Sequence, residues 1–226
     1  MSTPVVDLPD IHADLASRVV VATGALGWEP SPSGTVWRKP LYREGGEYGP
    51  VTGLVRYAPG GAFPEHAHPQ GEEILVLEGT FADEHGEYPA GTWLFNPDGS
   101  THAPRSPEGC VIFVRLRQYA GADRPRRVVD TRGAAWHPGL VEGLTVLPLY
   151  AQGGYPENVA LVRWAPGTRF QRHTHWGGEE ILVLEGEFAD EHGVYPAGTW
   201  LRSPHLSVHT PYSEPGCLIY VRVGGL

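Results

Sequence analysis

One segment of this sequence occurs twice, and the second copy keeps the spacing of the first without a gap. Residues 60–79 read Gly-Gly-Ala-Phe-Pro-Glu-His-Ala-His-Pro-Gln-Gly-Glu-Glu-Ile-Leu-Val-Leu-Glu-Gly, and His102 follows a Pro-Ala-Gly turn. Displaced by 107 residues, the same pattern runs from Gly167 through His173, His175, Glu179 and Gly186 to His209. A chain of 226 residues has room for one large domain or for two of about 110. The repeat decides for two, so whatever fold is chosen must be one that a chain can build twice.

The repeat extends beyond this segment. Arg18-Val19-Val20-Val21-Ala22-Thr23 matches Arg126-Arg127-Val128-Val129-Asp130-Thr131, and Trp28, Pro40 and Tyr42 match Trp136, Pro148 and Tyr150, all at an offset of 108. Arg56 to Gly60 matches Arg163 to Gly167 at 107, so a one-residue indel lies in the loop after Tyr42 or Tyr150. Loops tolerate such changes. The expected organisation is an N-terminal extension over residues 1–17, a first domain over 18–120 and a second over 121–226, with the polar, Arg-rich stretch from Gly121 to Arg127 as linker. Within the extension, Pro4 to Pro9 reads as an edge strand and His12 to Ser17 as a short helical turn.

Each copy predicts strands. Ile74-Leu75-Val76-Leu77 is apolar on both faces, as suits a strand covered on both sides. Phe81 to Tyr88 reads as a hairpin around His85-Gly86, Thr92 to Phe95 as the next strand, and Cys110 to Arg117 as the last. Thirty Gly and 22 Pro, with no Gly-X-Y period, supply the turns of many short strands. The fold class is all-β, an antiparallel barrel or sandwich in each half.

Composition excludes several functions. A net charge of −9 argues against a nucleic-acid groove, which needs a concentrated basic face. No apolar run approaches the ~18 residues of a membrane helix, and Met1 to Asp10 has neither the basic nor the apolar region of a signal peptide. A cytoplasmic protein is expected. Cys110 and Cys217 are repeat equivalents, each opening an apolar strand, and read as small buried residues rather than as a disulfide.

The repeated segment carries the chemistry. His66 and His68, two apart on a strand, point to one face. Gly71 lets the chain bend before Glu72, which then shares a face with Ile74 and Val76; a bulge at Gly71 would put Glu73 in its place. His102 returns one hairpin and one strand later to the same layer, and His173, His175, Glu179 and His209 repeat every spacing. Three imidazoles and a carboxylate buried together without a cation would be costly. One divalent metal per domain is expected, Zn2+ or Fe2+, with Mn2+ and Ni2+ also suited to this donor set. Four protein ligands would close a tetrahedral zinc site, whereas an octahedral iron or manganese would keep two open positions.

These spacings resemble the cupin superfamily. Gly60, His66-Ala67-His68, Glu72 and Gly79 follow its first motif, and Gly91, Pro97-Asp98-Gly99 and His102 its second. The eleven residues between Gly79 and Gly91, and the wording Gly-Glu-Glu-Ile-Leu-Val-Leu-Glu-Gly before Phe-Ala-Asp-Glu-His-Gly, are most similar to the cupin domain of ChrR-type anti-sigma factors and related dioxygenase-like cupins. The resemblance covers nearly all of residues 18–226 and implies a bicupin: two tandem double-stranded β-helix barrels packed as a pseudo-dimer. It implies metal-ligand roles for His66, His68, Glu72, His102, His173, His175, Glu179 and His209. The sequence departs from the motif at Ser106 and Ser213, where Asn is expected, and at Leu206, where Gly is expected; the last puts the turn of the second site in question. No stretch matches the Cys/His zinc-binding helical domain with which ChrR proteins grip a sigma factor, so an anti-sigma role is not expected.

Other residues carry weaker readings. Arg56 with Arg163, and Arg115 with Arg222, lie in apolar strands and could clamp an acidic substrate or face outward toward acids. Glu73 and Glu180 belong to the surface or an interface, Trp93 and Trp200 to core or mouth packing. His85 and His192 fall in solvated turns. Around the second ligand set, Glu65, Pro69, Phe95 and Asp98 become Arg172, Trp176, Arg202 and His205, a change toward a more cationic and aromatic mouth. Two functions fit: a metal-dependent, dioxygenase-like enzyme acting on a small organic molecule, or a non-catalytic zinc-binding sensor or structural module. Neither involves nucleic acid or membrane, and a homo-oligomer is left open.

Overall fold

The computed structural model of the protein describes residues 8–226, apart from the side chain of Glu47. Most of the expected edge strand over residues 4–9 therefore lies outside the described residues. Strands dominate, and the only helical elements among the described residues are two short 3-10 turns, Thr23–Ala25 and Gly46–Tyr48. His12 to Ser17 is a turn, not a helix, closed by Ser17 N–H donating to Asp14 O and capped by the Asp14 carboxylate. No helix is long and apolar enough to cross a membrane.

Two compact units are present, and they do not follow the repeat boundaries. Among the described residues the first comprises 8–13 and 27–133, the second 14–26 and 134–226. Val19–Ala22, at the start of the first repeat, is an edge strand of the second unit, antiparallel to Thr199–Ser203. Arg127–Asp130, at the start of the second repeat, pairs with Thr92–Asn96 in the first unit. Sequence comparison aligns like with like, so it finds the copies but not which copy's sheet each opening strand joins.

Each unit has the same plan. In the first, the main sheet runs through Arg127–Asp130, Thr92–Asn96, Glu72–Asp83, Cys110–Leu116, Val51–Tyr57, Val36–Arg43 and Glu29–Pro30. The 12-residue strand Glu72–Asp83 is long enough to serve this sheet with its first half and to pair Gly86–Pro89 and Arg105 with its second. Gly79 permits the change of direction: its φ is +67°, and a Cβ there would meet Gly109 O at 2.1 Å. Alternation places Val36, Tyr57, Ile74, Val76, Leu94, Ile112 and Val114 inside; Leu144, Trp164, Ile181, Val183, Leu201 and Ile219 do the same in the second unit. Each such side chain contributes about 1.5–3 kcal/mol on burial, and together they hold the long strands that Glu72 and Glu179 begin.

Several details settle sequence expectations. Cys110 and Cys217 are free and buried, and burial pushes both thiols up, Cys217 to about 11. Ser106 and Ser213 are buried, and their hydroxyls donate to Thr80 O and Glu187 O at 2.6 Å, tying a short strand to the long one. Glu73 and Glu180 are not on the surface: each is 2% exposed and accepts a hydrogen bond from the indole N–H of Trp93 or Trp200. Tyr119 also donates to Glu73. Arg115 sits opposite Glu73 in the ladder and Arg222 opposite Glu180, so both lie on the face away from Glu72 and Glu179, and both are buried.

Candidate metal centres

In the first unit a two-stranded ladder, His66–His68 against Ser100–His102, sets His66 directly opposite His102. Gly71, at φ +73°, turns the chain out of that ladder, and Glu72 begins the next strand on the inner face. The result is a cluster. His68 Nε2 and His102 Nε2 are 2.8 Å apart, and Glu72 Oε2 lies 3.6 Å from the former and 3.4 Å from the latter. Ligand atoms of His66, His68 and His102 all fall within 4.8 Å of one another. The second unit repeats the ladder as His173–His175 against Ser207–His209. There His173, His175, Glu179 and His209 all meet the same limit, with 2.9 Å between the Nε2 atoms of His175 and His209. In the first unit Glu72 reaches His68 and His102 but falls outside the group of atoms that all lie within 4.8 Å of one another. Ligands at ~2.1 Å from an ion would stand ~3.0 Å apart at octahedral and ~3.4 Å at tetrahedral angles, so both clusters have the donors of a divalent-metal shell, and the second brings all four within one limit.

The outer nitrogens are tied down in a way that leaves the inner ones available. Nδ1–H of His66 donates to Pro64 O at 2.8 Å and that of His173 to Gln171 O at 2.9 Å. His102 Nδ1 and His209 Nδ1 lie 3.4 Å from the carboxylates of Asp83 and Asp190. This fixes the tautomer that presents Nε2 to a metal. Electrostatics also favour neutral imidazole: burial and the adjacent histidine lower His68 and His175 to about 3. Burial works against charge on His102 too, but Asp83 and then Glu72 outweigh it and raise its pKa. Glu72 is raised by burial, and Glu179 is pushed up to about 7 by the same cause.

Behind the ligands stands a set of residues that the sequence reading missed. Asp83 accepts from the Tyr88 hydroxyl at 3.0 Å, and Tyr88 accepts from Arg126 Nη2 at 2.7 Å. Arg126 Nε also donates to Asn96 Oδ1 at 3.1 Å, and Asn96 Nδ2 to Glu72 at 2.9 Å, so one guanidinium backs both a histidine and the carboxylate. In the second unit Arg18 Nη2 donates to Tyr195 at 2.6 Å and to Asp190 at 3.1 Å, and Tyr195 donates to Asp190 at 2.7 Å. Burial would raise Asp83, but hydrogen bonds from His102, the His85 N–H and Tyr88 outweigh it and hold its pKa at about 2. Asp190 is lowered in the same way. Arg126 belonged to the expected linker and Arg18 to the start of the first repeat; each serves the unit built mainly from the other repeat. The available signal was that Arg18/Arg126, Asp83/Asp190 and Tyr88/Tyr195 are all repeat equivalents.

The structure does not bring Arg56 or Arg163 to these clusters. Arg56 lies between Val55 and Tyr57, which face the core, and its guanidinium stacks on Trp28 and Trp37 at 4.8 and 4.9 Å. Arg163 stacks on Trp136 at 4.6 Å. Arg202, expected at the second mouth, is 1% exposed and pairs with Glu180 in the ladder, on the face away from Glu179. Trp176 and His205 do sit together at an exposed turn, edge to face at 5.9 Å. Leu206 keeps the turn that glycine makes in the first unit: its φ is +64° against +79° at Gly99, and its N–H reaches His175 O at 2.9 Å as that of Gly99 reaches His68 O at 3.0 Å.

A sequence profile described as the ChrR cupin-like domain matches residues 16–120 and again residues 124–226. The chain belongs to this family. Two ChrR cupin-like domains thus account for almost the whole cupin chain, and solved structures agree on its fold. A candidate dioxygenase from Nostoc punctiforme superposes with a TM-score of 0.75 at 17% identity, covering 93% of this chain and 84% of that one. Oxalate decarboxylase from Bacillus subtilis gives 0.64 at 13% identity, covering 94% and 77%. The pirin YhhW of Escherichia coli, solved in complex with nickel(II), gives 0.66 at 14%, covering 92% and 99%. The comparison with curated proteins found no match.

Proposed function

We propose that this bicupin is a metal-dependent enzyme of the dioxygenase-like kind acting on a small organic molecule, with the reaction in the first barrel. In this reading His66, His68, Glu72 and His102 hold one divalent ion, Zn2+ or Fe2+ (Mn2+ and Ni2+ being compatible), and His173, His175, Glu179 and His209 hold a second. One observation carries the reading: the first cluster opens on a cavity of about 730 Å3, lined by His66, His68, Glu72 and His102 together with apolar side chains such as Tyr57 and Phe63. That is the size and character of a small-molecule site. When bound, such an ion supplies Lewis-acid polarisation of a substrate oxygen and, for a redox metal, a place for oxygen to react.

The protein's own residues supply the rest. His68, His102 and Glu72 are buried, which excludes water from one side of the shell and strengthens every charge interaction within it. Asp83, held by Tyr88 and backed by Arg126, keeps the His102 ring in one orientation. His66 is exposed at the cavity side, so the shell is approached from there. Elemental analysis of protein purified without added metal, combined with oxygen uptake on a panel of diketones, phenols and small organic acids, tests the reading. Iron or another redox metal with turnover supports it; about two tightly held zinc ions per chain with no turnover on the panel would replace it by the non-catalytic zinc module.

A further inference from the structure

The two barrels share their ligands but not the walls in front of them. Register identifies the inward rows of the first barrel. Glu72 lies opposite Leu116, Leu116 opposite Val51, and Val51 opposite Arg43. Two inward rows deeper, past Ile74 and Val114, Val76 lies opposite Ile112, Ile112 opposite Val55, and Val55 opposite Arg38. Arg38 and Arg43 therefore project from the same face as the core residues and Glu72, and both line the cavity. Arg117, just past the end of Cys110–Leu116, also lines it and lies close enough to His68 to disfavour that ring's protonated form. Two acids besides the ligand, Glu29 and Glu65, share the wall, but both are exposed. Arg43 is buried, with Nε donating to Pro9 O at 2.9 Å.

The equivalent rows of the second barrel end differently. Val223 lies opposite Glu179 and Asn158, and Asn158 opposite Ala151; Ile219 lies opposite Val183 and Val162, and Val162 opposite Val146. Thus Ala151 stands for Arg43, Val146 for Arg38, and Gly224 for Arg117. The last pair is the most informative. Both positions have left-handed backbone, φ +59° at Arg117 and +81° at Gly224. Glycine adopts it freely, whereas arginine pays in strain, and such strain gathers where a side chain is needed for function.

From these observations we infer that the first barrel binds an anionic substrate, a small mono- or dicarboxylate, through Arg38, Arg43 and Arg117, and that the second barrel does not. The inference rests on reading the first cavity as the reaction site, and it narrows the substrate class. Guanidinium groups suit the task because their donors match a carboxylate's two oxygens.

Isothermal titration of malonate and succinate into the full-length protein, metal-loaded and metal-free, with malonamide as the uncharged match, tests this. The expected result is one dianion per chain, bound at least about tenfold more tightly than malonamide. Arg117→Gly should lower that affinity about tenfold while leaving the melting temperature equal to or above that of the wild type, a combination that general damage to the fold would not produce. Arg38→Ala should lower it comparably. The inference is overturned if diacid and diamide bind alike, if two dianions bind per chain, or if affinity survives both substitutions. Dianion binding to a protein that takes up no metal when metal is supplied would fell the enzyme reading and leave the anion site standing; metal and turnover without dianion selectivity would do the reverse.

Discussion

The first barrel lines the cavity before its histidines with three arginines, whereas the second has small or apolar residues at the three equivalent positions. Asn96, which donates to Glu72, becomes Ser203, and the arginines at 38, 43 and 117 become Val146, Ala151 and Gly224. The donors themselves, and the Asp–Tyr–Arg sets behind them, are unchanged. After duplication, then, the three histidines and the glutamate have been kept in both copies, and the arginine wall has been kept or acquired in one. Identical shells do not make equivalent sites.

Four experiments would break or sharpen this contrast. The largest effect is expected from removing a histidine: His102→Ala and His209→Ala should each lower metal content by about one ion per chain, but only His102→Ala should abolish turnover. Equal loss of turnover in both would end the asymmetry. Next come the supporting arginines. Arg126→Ala should weaken metal binding at the first site and Arg18→Ala at the second, each by about ten- to a hundredfold, read by competition with a chromophoric chelator; Arg→Lys should recover part of the loss. If Arg18→Ala weakens the first site instead, the assignment of that strand is wrong.

A third test uses pH. Glu179, raised from 4.5 to about 7, binds its proton more tightly folded than unfolded. In metal-free protein its contribution is therefore fully present below about pH 4.5 and is lost as pH rises through about 7. Glu179→Gln should then stabilise the metal-free protein at pH 8, on the order of 2 kcal/mol, and leave it little changed at pH 4, as measured by chemical denaturation. Metal should reverse the wild type's loss at pH 8 and do nothing comparable for the variant's second site. The smallest effect concerns the turn. Leu206→Gly should stabilise by about 1 kcal/mol because the left-handed backbone no longer carries a Cβ, and Gly99→Leu should cost about as much; a Leu206→Gly protein that melts lower would show that the half-exposed leucine, 48% accessible, makes a contact worth more than the strain.

The parts legible in the sequence were those expressed by short-range spacing. His66 and His68 share a face because strands alternate, and His102 falls opposite them because a hairpin and a strand have predictable lengths. The repeat then doubled every such inference. What could not be read depends on which strand lies beside which. Arg126 looked like linker because nothing local says that the strand after it joins Thr92–Asn96. Alternation correctly put Glu73 on the face away from Glu72, but it is silent on what covers that face, and Trp93 and Tyr119 cover it. Arg202 was misplaced for the same reason. Arg38 and Arg43 are five apart, which on a regular strand would put them on opposite faces; the irregularity in the ladder between Pro40 and Tyr42 restores them to one.

The opening strands that join the other repeat's sheet bear on how this gene can change. A cut in the chain near residue 121 would respect the repeat yet strand Arg18 and its edge on the wrong fragment, so neither half can be inherited, deleted or shuffled alone without loss of the hydrogen bonds behind the other's histidine cluster. A substitution near the amino end would likewise be felt at histidines almost two hundred positions later. Selection on one copy therefore restrains drift in its twin, which offers a reason why a second barrel with Val146, Ala151 and Gly224 in place of arginines has kept its histidines and glutamate.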